Sequence, residues 1–345
     1  MLILGLESSC DETAASLVVD GHTVLSNTIS SQIASHAPYG GVIPELAARE
    51  HLTNIQEVMK LTLAEAGKKI TDLDGIAVTN HPGLLPALLV GTSFASGLAA
   101  SLDIPLVGIN HLLAHVYAAF IERQDVLVSG DRPVTALLVS GGHTQIIVMQ
   151  RDGTCEIVGS TIDDAAGEAF DKAAKILGLP YPGGPVIDKM AVGGDTKFID
   201  FPRALKGKPQ HRFNFSFSGL KTSLLYKVKD RELSDKEMQD TLASYQEAIV
   251  DVLSHKSLAA VKHFDSEHLI VCGGVACNSA LRQRLSELGS TANVDVILTP
   301  AKYCTDNAAM IAALGYHHIK NGEVSESVEA IPRAPLISRV PFFNS

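Results

Sequence analysis

Tryptophan is absent from the 345-residue chain and aromatic residues make up only 5% of it, so a core has to be built largely from aliphatic side chains. Charged residues are sparse as well, at 19% against 46% hydrophobic. That balance excludes intrinsic disorder as a class and suits two domains or one large one. The five cysteines (Cys10, Cys155, Cys272, Cys277, Cys304) are odd in number and scattered. They read as reduced thiols of a cytoplasmic protein, and without a C-x-x-C spacing they do not suggest a zinc ribbon. No window approaches eighteen consecutive apolar residues, so no membrane span is expected. Residues 1–5 lack the basic region that opens a secretory signal. Positive charge is in deficit, with a formal net charge of −10, which argues against nonspecific coating of nucleic acid but leaves room for a local basic face.

What is present repeats. A strand-like run at 2–6 enters the polar turn Glu7-Ser8-Ser9-Cys10-Asp11-Glu12-Thr13. A second run at 14–19 follows, then the hairpin dipeptide Asp20-Gly21 and a third run at 22–26. The same module recurs as 134–139, the turn Ser140-Gly141-Gly142-His143-Thr144, the run 145–150 and Asp152-Gly153. Each module is followed by a βα unit, 75–79 into a small-residue helix at 84–102 and 268–272 into a helix at 278–288. Each half then closes on a strand, at 105–109 and 294–298. Duplicated hairpin and βα units predict an α/β protein of two lobes with a cleft between them, the actin-like and sugar-kinase-like architecture in which a nucleotide touches the hairpin turns of both. The expected boundaries are 1–110 for the first lobe, completed by part of 326–345, and 111–325 for the second, with an insertion at about 160–265. Within that insertion, residues 197–231 hold nine Lys/Arg against two Asp, with Phe198, Phe201, Phe213, Phe215, Phe217 and Tyr226 interleaved. Such a stretch is either a solvated face over ordinary core aromatics or a phosphate-contacting surface.

Several motifs carry chemistry. The glycines of Val139-Ser140-Gly141-Gly142-His143-Thr144 let backbone N–H groups approach a phosphate or acyl oxygen, and Gly273-Gly274-Val275-Ala276-Cys277-Asn278 opens a helix in the manner of nucleotide sites. His111 and His115 stand at i and i+4, on one face if the segment is helical, with Asn110 as the expected N-cap. Asp306 follows the closing strand of the second half, at the duplicated position of that pair. Two His and a carboxylate leave coordination positions open for water or substrate. A histidine pair at this spacing is often incidental, and the segment lacks the Glu of H-E-x-x-H, so a zincin peptidase would have no base in its usual place. A small-molecule kinase of the same architecture would give the pair no role. Asp11 is the carboxylate least easily read as a mere cap, because the hairpin turn aims it toward the expected cleft.

Taken together, Glu7–Thr13, Asn110–His115, Leu138–Thr144, Ala166-Gly167-Glu168-Ala169-Phe170-Asp171, Gly273–Asn278 and Thr305-Asp306-Asn307 resemble the tRNA N6-adenosine threonylcarbamoyltransferases, TsaD in bacteria with a relative in the KEOPS complex. The resemblance spans nearly the whole chain. It implies transfer of a threonylcarbamoyl group from threonylcarbamoyl-AMP to N6 of adenosine 37 in tRNAs reading codons that begin with A, with AMP released. It implies His111, His115 and Asp306 as ligands of one divalent metal per subunit, Fe(II) foremost, with Zn(II) or Mg(II) as alternatives. It also implies donor contacts from Leu138, Val139, Ser140, Gly141, Gly142, Asp171, Gly184, Asp188 and Asn278. Asp11 or Glu12 is the expected source of base assistance. The implied partners are tRNA, a TsaB-like paralogue that pairs through the first lobe, and a TsaE-like ATPase.

Overall fold

The computed structural model describes residues 1–123 and 131–333. Its strands are β1 (Leu2–Glu7), β2 (Glu12–Val19), β3 (Thr23–Ser31), β4 (Gly75–His81), β5 (Leu106–Asn110), β6 (Val134–Val139), β7 (Thr144–Met149), β8 (Cys155–Ser160), β9 (His268–Cys272) and β10 (Asp295–Leu298). Its helices are α1 (Ile33–His36), α2 (Pro44–Glu65), α3 (Leu85–Leu102), α4 (His111–Tyr117), α5 (Ala166–Ile176), α6 (Gly183–Met190), α7 (Ser218–Val228), α8 (Asp235–His263), α9 (Ser279–Ala292) and α10 (Ala308–Lys320).

Two compact units divide these elements. The first takes the described residues of Met1–Gly130, Arg151–Thr154 and Thr305–Ser345, with sheet order β3-β2-β1-β4-β5. The second takes Asp131–Gln150 and Cys155–Cys304, with order β10-β9-β6-β7-β8. Read from the other edge, the second order is that of the first. In both, an antiparallel meander of three strands adjoins two parallel strands reached through βα connections. The duplication read from turn chemistry is therefore a duplication of topology. At the first hairpin, Asp20 and Gly21 both have positive φ, 51° and 74°, the left-handed pair that a tight two-residue turn needs.

The unit edges differ from the sequence expectation of 110/111 and 325/326. Both α4 and α10 belong to the first unit, and α10 packs on β1, β2, β4 and α4. The cause is a close approach at Gly5 of β1, where a Cβ would lie 2.6 Å from the Ala312 backbone nitrogen and would also strike the Ala308 carbonyl. The small residues of α10 accept that approach, so the segment opening at Thr305 is anchored to β1. By length and mean hydropathy alone, 1.5 over 18 residues, α3 is long and apolar enough to cross a membrane, although Pro86 and several Ser and Thr interrupt its apolar run. It connects β4 to β5 and packs on β4 and α2, the position of a crossover helix covering a sheet.

Candidate metal centre

The first unit brings the two histidines and Asp306 together. Asn110, at the end of β5, caps α4 by accepting from the amides of Leu112 and Leu113 at 2.8 and 3.1 Å. The helix therefore begins at His111, and His115 lies one turn on, with ring centroids 4.6 Å apart and nearly perpendicular. Asp306 stands just before α10, whose cap is Asn307, accepting from the Met310 amide at 3.2 Å. Asp306 Oδ1 is 3.0 Å from His115 Nε2 and 3.5 Å from His111 Nε2. One ligand atom from each residue falls within 4.8 Å of the others, which suits a single cation held by two imidazoles and a carboxylate.

Glu7 supplies what the sequence reading missed. It ends β1 with 1% of its surface exposed and accepts from His111 Nδ1 at 2.9 Å, the Ser9 amide at 2.6 Å and the Thr79 hydroxyl at 2.5 Å. Burial raises a carboxyl, but the charge of His111 and these hydrogen bonds outweigh it and hold Glu7 below its ordinary value. Burial likewise works against protonated His111, yet Glu7 and Asp306 push it up to about 9. Fixing Nδ1 as the donor aims Nε2 at Asp306, the arrangement that orients metal-ligating histidines. His115 has no such holder, since its Nδ1 is buried without a partner among the described residues.

The acidic turn lies in the same unit. His51 of α2 is fully buried; its Nε2 donates to the Cys10 carbonyl at 2.9 Å and its Nδ1 accepts from the Thr13 hydroxyl at 2.7 Å. Burial lowers its pKa, which keeps it in the neutral form these two bonds require. The Gln32 amide holds the Asp11 carbonyl at 2.9 Å and the Leu84 amide holds that of Ser9 at 2.8 Å. The turn is thus pinned on both sides. Burial, followed by the charges of Asp306, Asp11 and Glu7, pushes the Glu12 carboxyl up to about 10. In the metal-free protein Glu12 is therefore neutral at pH 7, and four carboxyls crowded into one region form an environment that a cation would relieve.

The residues expected to hold the donor all lie in the second unit. Leu138 and Val139 are fully buried within β6, so their side chains belong to the core. Ser140 closes the following turn, its amide donating to the His143 carbonyl at 2.8 Å while its hydroxyl accepts from the His143 amide at 3.1 Å. Gly141 and Gly142 are exposed, and an added Cβ would meet nothing within 4 Å. The N-terminus of α5 packs against this turn, since a Cβ on Gly167 would lie 2.7 Å from the Ser140 carbonyl. Asp171 accepts from the Gly183 amide at 2.7 Å, and Gly184 beside it opens onto free space. Asp188 accepts from the Ser279 amide and hydroxyl at 3.0 and 2.8 Å. Asn278 caps α9 through Leu281 and donates one amide hydrogen to Gln246 at 2.7 Å.

The basic stretch is only partly a free face. Arg203 Nε and Lys206 Nζ both bind Asp251 of α8, at 2.9 and 2.7 Å. Lys256, also from α8 and 2% exposed, donates to the carbonyls of Leu205 and His211. Phe201, Phe215 and Phe217 are core residues. Tyr226, however, is 74% exposed on α7, with Lys221, Lys227 and Lys229 exposed around it.

A family model described as TsaD, tRNA N6-adenosine threonylcarbamoyltransferase, matches residues 23–313. Curated proteins of that name are similar along nearly their whole lengths. The one from Geotalea uraniireducens is 48% identical over 98% of this chain and 97% of its own. The one from Clostridioides difficile is 46% identical over 96% and 97%. Among solved structures, HypF of T. kodakarensis superposes with a TM-score of 0.60 at 15% identity, over 93% of this chain and 48% of that one. The activator of 2-hydroxyisocaproyl-CoA dehydratase from Clostridium difficile does so at 0.55 and 14% identity, over 94% and 97%. At such identities the structural likenesses establish the fold class alone, the duplicated α/β fold of actin-like and sugar-kinase-like proteins.

Proposed function

The chain belongs to the TsaD family of tRNA N6-adenosine threonylcarbamoyltransferases, and from that premise we propose that His111, His115 and Asp306 hold one divalent cation at the reacting end of the donor. The enzyme transfers a threonylcarbamoyl group to N6 of adenosine in tRNA. The donor in this reading is threonylcarbamoyl-AMP and the acceptor is adenosine 37 of tRNAs reading codons that begin with A. The N6–carbonyl bond forms, the bond from that carbonyl carbon to the phosphate oxygen breaks, and AMP leaves with the electron pair. A cation bound here would orient the donor and polarise its carbonyl. Two imidazoles favour Fe(II) or Zn(II) over Mg(II), which prefers oxygen ligands and keeps its waters.

The chain's own groups supply the rest. Exposed backbone at Gly141 and Gly142 can donate to the phosphate or to charge developing on the carbonyl, and Asp171, Gly184 and Asp188 frame the donor. Asn278 caps α9 and gives one amide hydrogen to Gln246, which leaves its second hydrogen for a ribose or base oxygen of the donor. Asp11, in the pinned turn, takes the N6 proton. Glu12 can share that task only when a cation draws its proton off, since without one it is already protonated. The family carries the further proposals of a cytoplasmic setting, consistent with five cysteines that form no disulfide, and of TsaB-like and TsaE-like partners. Leu85 and Leu89, 42% and 49% exposed on α3, are first-unit surface that the paralogue would cover.

The observation that carries this reading is the triad with one imidazole already oriented by Glu7. The test strips the protein of metal, restores Fe(II), Zn(II) or Mg(II) singly, and measures bound metal and single-turnover transfer to tRNA in the wild type and His115→Ala. One tightly bound Fe(II) or Zn(II) per chain, lost together with transfer in the variant, is the expected result. Full transfer by the stripped variant would remove the metal from the mechanism.

A further inference from the structure

Behind the acidic turn, four polar side chains form one buried chain of hydrogen bonds. Thr13 lies at the start of β2, Gln32 precedes α1, His36 ends α1 and His51 lies within α2; all four are buried. The Ile43 amide donates to His36 Nδ1 at 3.3 Å, and His36 Nε2 donates to the Gln32 side-chain oxygen at 3.1 Å. The Gln32 side-chain nitrogen donates to the Ala47 carbonyl and to His51 Nδ1, both at 3.4 Å. The Thr13 hydroxyl reaches the same His51 nitrogen at 2.7 Å, and His51 Nε2 ends the chain on the Cys10 carbonyl at 2.9 Å. A backbone amide can only donate and a carbonyl can only accept, so the two ends fix the direction of every bond between them. Each imidazole uses both nitrogens, one as acceptor and one as donor.

We propose that His51 is a positioning residue for the transfer: its Nε2–H fixes the Cys10 carbonyl, and with it the direction in which the Asp11 carboxylate meets the N6 proton. The inference rests on the reading that Asp11 takes that proton. Thr13 and Gln32 select the tautomer that carries the hydrogen on Nε2. His36 extends the same constraint to the amide of exposed Ile43, just before α2.

The surroundings explain why the turn needs such a holder. Glu7, Asp11 and Asp306 crowd Glu12, and like charges gathered in one region drive the turn that carries Asp11 outward. Gln32 opposes this with its backbone amide on the Asp11 carbonyl, and His51 opposes it one residue earlier. Buried hydrogen bonds of this kind add little net stability, but they fix orientation, since each direction is determined and an unmade bond is costly.

The test compares His51→Gln and His51→Asn in the full, metal-loaded chain. By side-chain length, the Gln amide nitrogen stands in for Nε2 and the Asn amide for Nδ1, so His51→Gln keeps the donor to Cys10 and His51→Asn keeps only the partner of Thr13. Single-turnover transfer at saturating donor and tRNA should fall about 10–100-fold in His51→Asn, with donor and metal affinity unchanged, and His51→Gln should recover most of that loss. His51→Phe keeps the ring's bulk without either polar atom and should match His51→Asn. A residue that only stabilises the fold would lower melting temperature, affinities and rate together, alike in all three variants; that pattern overturns the proposal. Turn geometry is read apart from activity by alkylation of Cys10 with iodoacetamide, mapped by peptide mass. Burial and the charges of Asp11 and Asp306 keep that thiol protonated in the pinned turn, so labelling should be on the order of ten-fold faster in His51→Asn than in the wild type or His51→Gln. Unchanged Cys10 labelling in His51→Asn overturns the positioning role and leaves the reading of Asp11 untouched. Faster labelling with a native transfer rate overturns both, because a turn that moves without cost does not hold the proton acceptor.

Discussion

Glu7 accepts the Nδ1 proton of His111 at 2.9 Å, so the last residue of the first strand determines which imidazole nitrogen faces Asp306. In Glu7→Gln one carboxylate oxygen becomes an amide donor. If that donor faces Ser9, it opposes the Ser9 amide; if it faces His111, it favours the tautomer whose Nε2 carries the proton and cannot bind metal. Metal affinity should fall about 10–100-fold, read by competition with a chelator, while circular dichroism stays native. An affinity equal to the wild type would show that Glu7 does not orient the ligand.

The same pair gives the metal-free protein a pH signature. His111 is raised to about 9 in the fold against an ordinary value of about 6.5 when unfolded. Between those values the folded state binds more protons, so this contribution is full below about pH 6.5 and is lost as pH rises through about 9. It amounts to on the order of 3 kcal/mol for the coupled pair. A bound cation has to displace the Nε2 proton, so metal affinity should instead rise about ten-fold per pH unit over that window. Melting temperatures at pH 6.5 and 9, with and without metal, check both signs. A metal-free protein that gains stability toward pH 9 contradicts the assignment.

The basic stretch divides into two kinds of cation. Arg203→Glu with Lys206→Glu strips Asp251 of its partners and repels it, so melting temperature should drop while the salt dependence of tRNA binding changes little. Reversing Lys221 and Lys227 on α7 and Lys229 just after it should leave melting unchanged and lower the log–log salt slope by about 0.7–0.9 for each phosphate no longer neutralised. Filter binding across a salt series separates them. Equal slopes for wild type and the α7 variant would make this helix an ordinary solvated surface.

The duplicated fold and the clustering of His111, His115 and Asp306 were legible because local chemistry carries both: Asp20-Gly21 and the glycine turns set the hairpins, and i, i+4 spacing with an Asn cap aligns His111 and His115. What escaped depends on partners distant in sequence. Glu7 reads as one residue of a polar turn until Thr79 and His111 are seen to close over it; the usable signal is that a ligating histidine needs a partner for its second nitrogen. Composition counted nine cations at 197–231 but could not see Asp251 or Lys256 arriving from α8. The unit edges were misjudged because the approach of α10 to Gly5 is a packing event with no local pattern to announce it.

Asp11 and Glu12 can be separated by substitution. Asp11→Asn keeps the turn, because that turn is held through backbone groups, the Cys10 carbonyl by His51 and the Asp11 carbonyl by Gln32. If the Asp11 carboxylate takes the N6 proton, single-turnover transfer should fall about 10²–10⁴-fold. Affinity for the anionic donor should not weaken, since a negative charge has been removed. Glu12→Gln mimics the neutral carboxyl that the crowding of Asp306, Asp11 and Glu7 imposes without metal. It should therefore raise the metal-free protein's stability at pH 7, because the unfolded chain keeps Glu12 ionised and the fold has to protonate it. A bound cation would favour ionised Glu12, so Gln there should weaken metal affinity and lower transfer in the loaded enzyme. Donor affinity and metal affinity measured beside the transfer rate separate the roles. A near-native rate in Asp11→Asn with a large loss in Glu12→Gln moves the proton acceptor one residue along the turn, and native rates in both leave donor activation alone to account for the chemistry.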